Sequence, residues 1–304
     1  MFDANQQVYP DRPPQIVSVS GVNVRADILF TDAKGRDNKG QQKVAEKILA
    51  GLQLILPRLM GPNEVILATG FAQTQATFFE QLFLGWGAYL LGRSILVVTN
   101  RGLLRFRIRS KGLVGWEWDN GVQGIGWGDL AEARVTGGLG RRFVMRFRNN
   151  QKQTVSRLLP TFHKKLQMLA PLLLNANLGD ATAATAPVSL CPKCLAPLTA
   201  GLYQCAQCGQ VFRDEKKLLW RTWLIPGGEY FYVGSIGFGI LQAIVELIIL
   251  VWAVVLIGAG MASGDSDAGA SVVTGVVFLL ILVFHKLAAY VQCRRIVRGF
   301  LPAN

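Results

Sequence analysis

The stretch FYVGSIGFGILQAIVELIILVWAVVLIGAG, from Phe231 to Gly260, decides how this chain is built. It contains one charged side chain, Glu246. About 20 apolar residues, at a rise of 1.5 Å each, span the hydrocarbon core of a bilayer. A run that is apolar on every face is not typical of a helix in a small soluble domain. We therefore predict a transmembrane helix.

A second apolar stretch follows the first. Residues Ala268 to Phe284 carry no charge, and the stretch reaches spanning length by continuing to Val291. The connection, 261–270, carries Asp265 and Asp267 but no cation. Cations lie on the outer flanks of both stretches: Lys216, Lys217, Arg221, Arg294, Arg295 and Arg298. The positive-inside rule then predicts a hairpin in the cytoplasmic membrane, with the loop 261–270 external and both termini and the N-terminal domains cytoplasmic.

Three ionisable residues fall inside or beside this hairpin. Counted outward from the centre of the connecting loop, Glu246 lies about as far away as His285 and Lys286, so antiparallel helices bring them to one depth. An unpaired charge within hydrocarbon is costly. We predict that Glu246 pairs with Lys286 or His285; separate snorkelling of each side chain to the interface is the alternative.

Composition limits the function further. The chain has 304 residues, 51% of them hydrophobic, a net charge of +13 and a mean hydropathy of +0.31. These values exclude a disordered or collagen-like chain and favour acidic partners, such as an anionic membrane surface or a nucleic acid. His163 and His285 are the only histidines, which weighs against general acid–base catalysis. We expect a protein that is not an enzyme.

Residues Asn63 to Arg157 alternate between apolar and polar side chains and are interrupted by glycines, as in short antiparallel strands. Two segments, Leu104–Arg109 and Arg142–Arg148, alternate strictly, which predicts one core face and one cationic face. Residues 101–165 hold fourteen cations and four acids. Phe162 to Leu173 reads as an amphipathic helix that follows the strands.

The cationic face is a candidate lipid surface. Six arginines are predicted to lie side by side on it and to meet lipid phosphates: Arg105, Arg107, Arg109, Arg142, Arg146 and Arg148. A solvated sheet face with no ligand is the alternative.

Three segments here, Glu64–Ile66, the hairpin ILVVTNRGLLR at Ile95–Arg105, and GIGWGDL at Gly124–Leu130, resemble bacterial pleckstrin-homology (PH) and GRAM-type domains. The resemblance covers Gly61 to Leu174. It implies an antiparallel β barrel capped by a C-terminal helix, a fold that binds phospholipid headgroups or peptides in many members. It does not assign a ligand.

Four of the five cysteines form two CxxC pairs, Cys191 with Cys194 and Cys205 with Cys208, separated by ten residues. Two such turns direct four thiolates at one tetrahedral centre, and four protein ligands leave no open position. This predicts one structural Zn²⁺ per chain. A pair of disulfides or a redox CxxC is the alternative, which the reducing cytoplasm and the absence of a βαβ pattern disfavour.

The run CPKCLAPLTAGLYQCAQCGQVF, from Cys191 to Phe212, resembles a zinc ribbon. Ribbons bind nucleic acid in some proteins and dock to other proteins in others. The segment WLIPGGEYFYVGSIGFGILQ, from Trp223 to Gln242, resembles small two-helix membrane modules with a GG...FYxG signature. Those modules have a full apolar helix before the two glycines, whereas here the preceding segment is short and contains Arg221.

The predicted domain organisation follows from these features. Residues 1–40 form a mobile N-terminal tail in which only Gln15–Phe30 suggests strands, and residues 41–60 form an amphipathic helix with an apolar stripe. The other regions are a PH/GRAM-like β domain at 61–174, a flexible linker at 175–189, the zinc ribbon at 190–213, an interfacial segment at 214–230, and the transmembrane hairpin with a basic tail at 231–304.

The sequence favours a membrane-anchored cytoplasmic protein that presents a basic PH-like domain and a zinc ribbon to anionic lipid headgroups or to a protein partner. A membrane-tethered regulator that binds nucleic acid is the main alternative. An accessory subunit of a membrane transport complex is a further one, because two helices alone form no pathway.

Overall fold

Two long apolar helices and a large sheet dominate the computed structural model of this protein. It describes residues 2–3, 5–75, 77–84, 91–111, 115–137, 140–177, 186–263 and 268–303. The chain divides into a sheet unit, Met1–Gln75 with Tyr89–Gln210, and a helical unit, Ala76–Ala88 with Val211–Asn304. Part of the predicted linker, 178–185, and part of the predicted external loop, 264–267 with Asp265 and Asp267, lie outside the described residues.

The described strands of the sheet unit form one sheet. They are β1 Ile16–Val19, β2 Val22–Arg25, β3 Ile66–Thr74, β4 Arg93–Thr99, β5 Gly102–Lys111, β6 Gly115–Gly126, β7 Leu130–Thr136, β8 Arg142–Phe147, β9 Lys152–Ser156 and β10 Val188–Leu190. The main path runs β10-β6-β5-β4-β3-β9-β8-β7 and every pair in it is antiparallel. Strands β1 and β2 form a hairpin, and β2 pairs in parallel with β3.

The sheet does not close into the predicted barrel. Strands β6 and β7 follow each other through a 3-10 turn, Trp127–Asp129, and lie at different places in the strand order. The outer edge of β6 pairs with β10 instead, through Val122 to Gly124. The observed architecture is therefore an open, largely antiparallel sheet.

Two apolar cores cover opposite faces of the central strands. The first lies against helix α5, Pro160–Ala176, where Phe162 and Leu166 contact the strands. The second lies under helix α2, Lys39–Leu52, and the short helix α3, Leu56–Leu59. Consecutive residues of β4 show the division, because Val97 belongs to the second core and Val98 to the first.

The N-terminal segment, predicted as a mobile tail, packs on this sheet. Its strands β1 and β2 fall within Gln15–Phe30, and helix α1, Ala26–Leu29, follows them. Phe2 belongs to the first core. Lys165, buried on α5, donates hydrogen bonds to the carbonyl oxygens of Ile28 at 2.5 Å and Leu29 at 2.8 Å. A core lysine thus ties the N-terminal segment to the helix that follows the sheet.

The helical unit contains five described helices. They are α4 Phe78–Leu84, α6 Glu215–Leu224, α7 Gly228–Tyr232, α8 Ile236–Ser263 and α9 Ala268–Arg298. Helices α8 and α9 are each long and apolar enough to span a membrane. Asp214 caps the start of helix α6, because its side chain accepts a hydrogen bond from the Lys217 N–H. Residues 61–174 were predicted as one β domain, whereas helix α4, between β3 and β4, belongs to the helical unit.

Candidate functional site

The four-cysteine centre is built from two turns with the same hydrogen-bond pattern. In the first, the Leu195 N–H donates to the Cys191 carbonyl at 2.8 Å, and the Cys191 N–H donates to the Ala196 carbonyl at 2.9 Å. In the second, the Gly209 N–H donates to the Cys205 carbonyl at 2.9 Å, and the Cys205 N–H donates to the Gln210 carbonyl at 2.8 Å. Leu195 and Gly209 both have positive φ, at 63° and 71°, a conformation that glycine adopts without strain.

The sulfur atoms are placed as a tetrahedral metal requires. All four Sγ atoms lie within 4.8 Å of one another, with 3.6 Å between Cys191 and Cys208 and 3.5 Å between Cys194 and Cys205. Four sulfurs at about 2.3 Å from one ion are about 3.8 Å apart, whereas a disulfide requires about 2.05 Å. None of the cysteines that the structure describes forms a disulfide, so the predicted alternative of disulfides is not observed. The four cysteines can hold a metal ion.

Backbone N–H groups stabilise the thiolate form of one cysteine, Cys205. The backbone N–H groups of Cys208 and Gln207 hydrogen-bond to Cys205 and lower the pKa of its thiol to about 6, whereas burial raises the pKa of Cys191 to about 12. A divalent cation stabilises thiolates at all four positions, and binding releases the remaining protons.

The cysteine centre is attached to the sheet unit. Strand β10 leads directly into Cys191 and pairs with β6. Leu195 packs against the second core, and Arg58 donates to the Lys193 carbonyl at 2.6 Å. The linker predicted at 175–189 therefore ends before Val188, where β10 begins, and the ribbon segment is joined directly to the sheet.

The two predicted arginine rows do not lie side by side. Strands β5 and β8 are separated in the sheet by β4, β3 and β9. The row on β5 is also engaged within the protein. Arg105 donates to Ser94 and, at 2.6 Å, to Thr74, Arg107 lies 2.8 Å from Asp119, and Arg109 pairs with Glu117. Burial lowers the pKa of Arg105 to about 10, which leaves it charged at neutral pH.

The row on β8 behaves differently. Phe143, Met145 and Phe147 point into the first core, and Arg142 and Arg146 on the opposite face are exposed. Cross-strand pairing extends this exposed face across β7 and β9, since Arg146 lies opposite both Glu132 and Lys152. We call four exposed or half-buried cations on this face the β7–β9 basic surface: Arg134, Arg142, Arg146 and Lys152. Arg148, beyond the end of β8, donates to the Gly128 carbonyl.

In the helical unit, the structure brings the predicted intramembrane charges together. The Lys286 Nζ atom lies 2.7 Å from Glu246 Oε2. His285 hydrogen-bonds to the backbone of Phe83 on α4 instead. Lys286 also lies 3.7 Å from Glu229 Oε2, beyond hydrogen-bonding distance. Two buried carboxyl groups thus face one ammonium group.

The third member of this cluster, Glu229, was not identified from the sequence. It is fully buried, and neither carboxyl oxygen accepts a hydrogen bond from the residues that the structure describes. Burial raises its pKa to about 7, although Lys286 acts in the opposite direction. One feature of the sequence could have identified Glu229 as a member of the cluster: it is an acid directly after Gly227 and Gly228, in a segment otherwise rich in aromatic residues.

The cluster also holds the turn that precedes α7. Gly227, with φ of +64°, donates its N–H to Glu246 Oε2 at 3.0 Å. Lys286 donates to the Ile225 carbonyl at 3.2 Å. A Cβ atom at Gly227 would lie 2.1 Å from the Gly239 carbonyl oxygen, so both the conformation and the close approach require glycine. The pair of Glu246 and Lys286 thereby holds the backbone at Ile225–Gly227, which leads through α7 into α8.

Comparison with known proteins does not extend these assignments. No protein-family model and no curated protein matches the chain.

Proposed function

We propose that this is a membrane-anchored recognition protein, not an enzyme, whose β7–β9 basic surface binds anionic phospholipid headgroups from the cytoplasmic side. Helices α8 and α9 supply the anchor. The observation that carries the proposal is the grouping of four cations around a single acid, Glu132, on the described part of that face. Each cation near an anionic bilayer contributes about 1 kcal/mol, so the surface supplies on the order of 4 kcal/mol.

The geometry favours β8 over β5 as the lipid-binding row. Arg107 and Arg109 already have carboxylate partners, and releasing them costs part of the energy gained from phosphate. In contrast, Arg146 lies 3.8 Å from Glu132, which it shares with Arg134. Such loose, exposed pairs are worth little, so phosphate groups compete effectively for these side chains.

The test is hydrogen exchange of the full chain in nanodiscs of phosphatidylcholine, with and without phosphatidylglycerol. We expect protection of β7–β9 only with phosphatidylglycerol, and its loss in Arg142→Glu/Arg146→Glu. The control Lys43→Glu/Lys47→Glu makes the same charge change on exposed positions of α2 and should keep the protection. Equal protection in both lipids, or equal loss in both variants, contradicts the proposal.

We also propose that the metal is Zn²⁺ in a structural role. Support comes from four thiol ligands with tetrahedral spacing and no open position, the arrangement of closed zinc sites. Bound zinc would hold the two turns together and keep Leu195 in the second core.

We further propose that β3 to β9 with α5 constitute a PH-like domain. The support is the succession of seven strands followed by a helix that packs on their core. Nucleic-acid binding is the competing function, since the same cations would contact phosphates. Duplex DNA can be added in the nanodisc experiment as a competitor. Stronger protection of β7–β9 by DNA than by phosphatidylglycerol would favour nucleic-acid binding.

A further inference from the structure

The connection between β3 and β4 contributes helix α4 to the helical unit. Its sequence, TFFEQLFL at Thr77–Leu84, contains five apolar residues and a single charged one, Glu80. Thr77 and Glu80 cap the start of the helix, because the Thr77 N–H donates to Glu80 Oε2 at 2.7 Å and the Glu80 N–H donates to Thr77 Oγ1 at 3.3 Å. A helix this short needs tertiary support.

That support comes from α9. The ring of Phe83 stacks on Phe284 at 6.0 Å between centroids, and Phe79 meets the same ring edge-on at 6.4 Å. Glu80, which is buried, forms an ion pair with Arg295 at 2.9 Å. Helix α4 is therefore fixed along α9 between the levels of Phe284 and Arg295.

This stretch of α9 extends into the predicted hydrocarbon region. A core of about 30 Å corresponds to about 20 residues at 1.5 Å each. Measured from Ala268, the start of α9, that length reaches about position 288, so Phe284 falls inside it and Arg295 outside. The level of α4 is thus the inner boundary of the apolar layer.

The opposite side of α4 is exposed and carries two large apolar side chains next to the polar Gln81. Phe78 is 80% exposed and Leu82 is 64% exposed, one turn apart on one side of the helix. Phe284, on which α4 packs, is itself 46% exposed. Exposed apolar side chains are therefore present both on α4 and on the part of the spanning helix against which it packs.

We propose that α4 is a third membrane-embedded element, with Phe78 and Leu82 in contact with lipid acyl chains at the inner edge of the bilayer. The amphipathic arrangement fits this position: aromatic rings and an ion pair hold α4 to α9, and the exposed apolar side chains meet lipid. The proposal is independent of headgroup binding by the β7–β9 basic surface.

The test uses nitroxide labels on the full chain in phosphatidylcholine–phosphatidylglycerol liposomes, at Phe78→Cys and Leu82→Cys. Power saturation compares relaxation by oxygen, which concentrates in hydrocarbon, with relaxation by a water-soluble nickel chelate. Ile248→Cys on the exposed side of α8 is the hydrocarbon reference and Lys47→Cys on α2 is the aqueous reference. The unsubstituted protein, treated identically, corrects for labelling of native cysteines.

We expect both α4 labels to relax with oxygen and to lose nickel relaxation, as the Ile248→Cys label does. Nickel relaxation equal to that of the Lys47→Cys label would overturn the proposal, because α4 would then lie in water. Protection from both reagents would also overturn it, because a second copy or another protein would then cover α4. Both positions are exposed, so the substitutions should leave folding intact.

Discussion

Replacing Lys286 with methionine should strongly destabilise the helical unit. The substitution keeps an unbranched apolar stem of similar length but removes the ammonium group that lies 2.7 Å from Glu246 and 3.7 Å from Glu229. Both carboxyl groups are buried. Breaking a buried pair by removing one partner costs about 3–5 kcal/mol, because it leaves an uncompensated charge. The lost hydrogen bond to the Ile225 carbonyl adds about 1 kcal/mol.

The double variant Lys286→Met/Glu246→Gln separates charge from packing. The side-chain amide oxygen that Glu246→Gln introduces can still accept from the Gly227 N–H, and a neutral replacement of a buried ion pair is often close to neutral in stability. We expect the double variant to recover most of the loss. The matched control is Lys217→Met, which removes an exposed pair with Asp214 at 3.9 Å and should cost less than about 1 kcal/mol.

The assay is the free energy of unfolding of the full chain in detergent micelles, followed by circular dichroism during titration with a denaturing detergent. A loss for Lys286→Met as small as that for Lys217→Met would refute the reasoning. A double variant no more stable than the single variant would show that packing of the lysine stem, and not its charge, stabilises the unit.

Three further predictions concern the other sites. Purified protein should contain one zinc per chain, and the Cys205→Ser variant should lose the metal and show less hydrogen-exchange protection of β6 at Val122–Gly124, where β10 pairs. The control variant Cys293→Ser, which lies outside the centre, should keep the metal. Native protein that contains no metal would contradict the proposed site. Glu229 has a pKa of about 7 when folded, above its usual 4.5, so the folded state binds more protons between these two pH values. The free energy of unfolding should therefore fall by up to about 3 kcal/mol as pH rises through this range. The Glu229→Gln variant should lack this pH dependence, and the same pH dependence in the native protein and the variant would contradict the prediction. Burial lowers the pKa of Lys165 from 10.5 to about 7, so the unfolded state binds more protons between these pH values. The free energy of unfolding of the sheet unit should therefore rise with pH by up to about 5 kcal/mol over this range. The Lys165→Met variant should show a weaker dependence of stability on pH, and an unchanged dependence would contradict the assignment.

The features that were predictable from the sequence depend on local spacing. Two CxxC turns position four sulfurs with little help from the rest of the chain. Two apolar helices joined by a short loop have a register that can be counted, which is why Glu246 and Lys286 were expected at one depth and lie within 2.7 Å in the structure. Strict alternation at Phe143, Met145 and Phe147 likewise identifies the buried face of β8.

The features that were not predictable depend on pairing between distant strands. The alternation of β5 is as regular as that of β8, yet two of its arginines, Arg107 and Arg109, pair with acids on β6. The apolar face of β5, with Phe106 and Ile108, packs in the second core under α2, whereas the apolar face of β8 packs in the first core. Alternation within one strand does not show which of two cores its apolar face meets. Residues Phe78–Leu84, within the predicted β domain, form a helix whose Phe79 and Phe83 pack on Phe284, and local spacing does not show a contact between residues so far apart in the chain.

The position of α4 in the chain has a consequence for biosynthesis. Phe284 follows Phe83 by about 200 residues, which a ribosome adds in roughly 10–40 s at 5–20 residues per second. During that interval Phe79 and Phe83 are already synthesised but their partner ring is not. The contacts of α4 with α9 therefore form only after the second apolar helix has been synthesised, so this part of the helical unit folds late in synthesis.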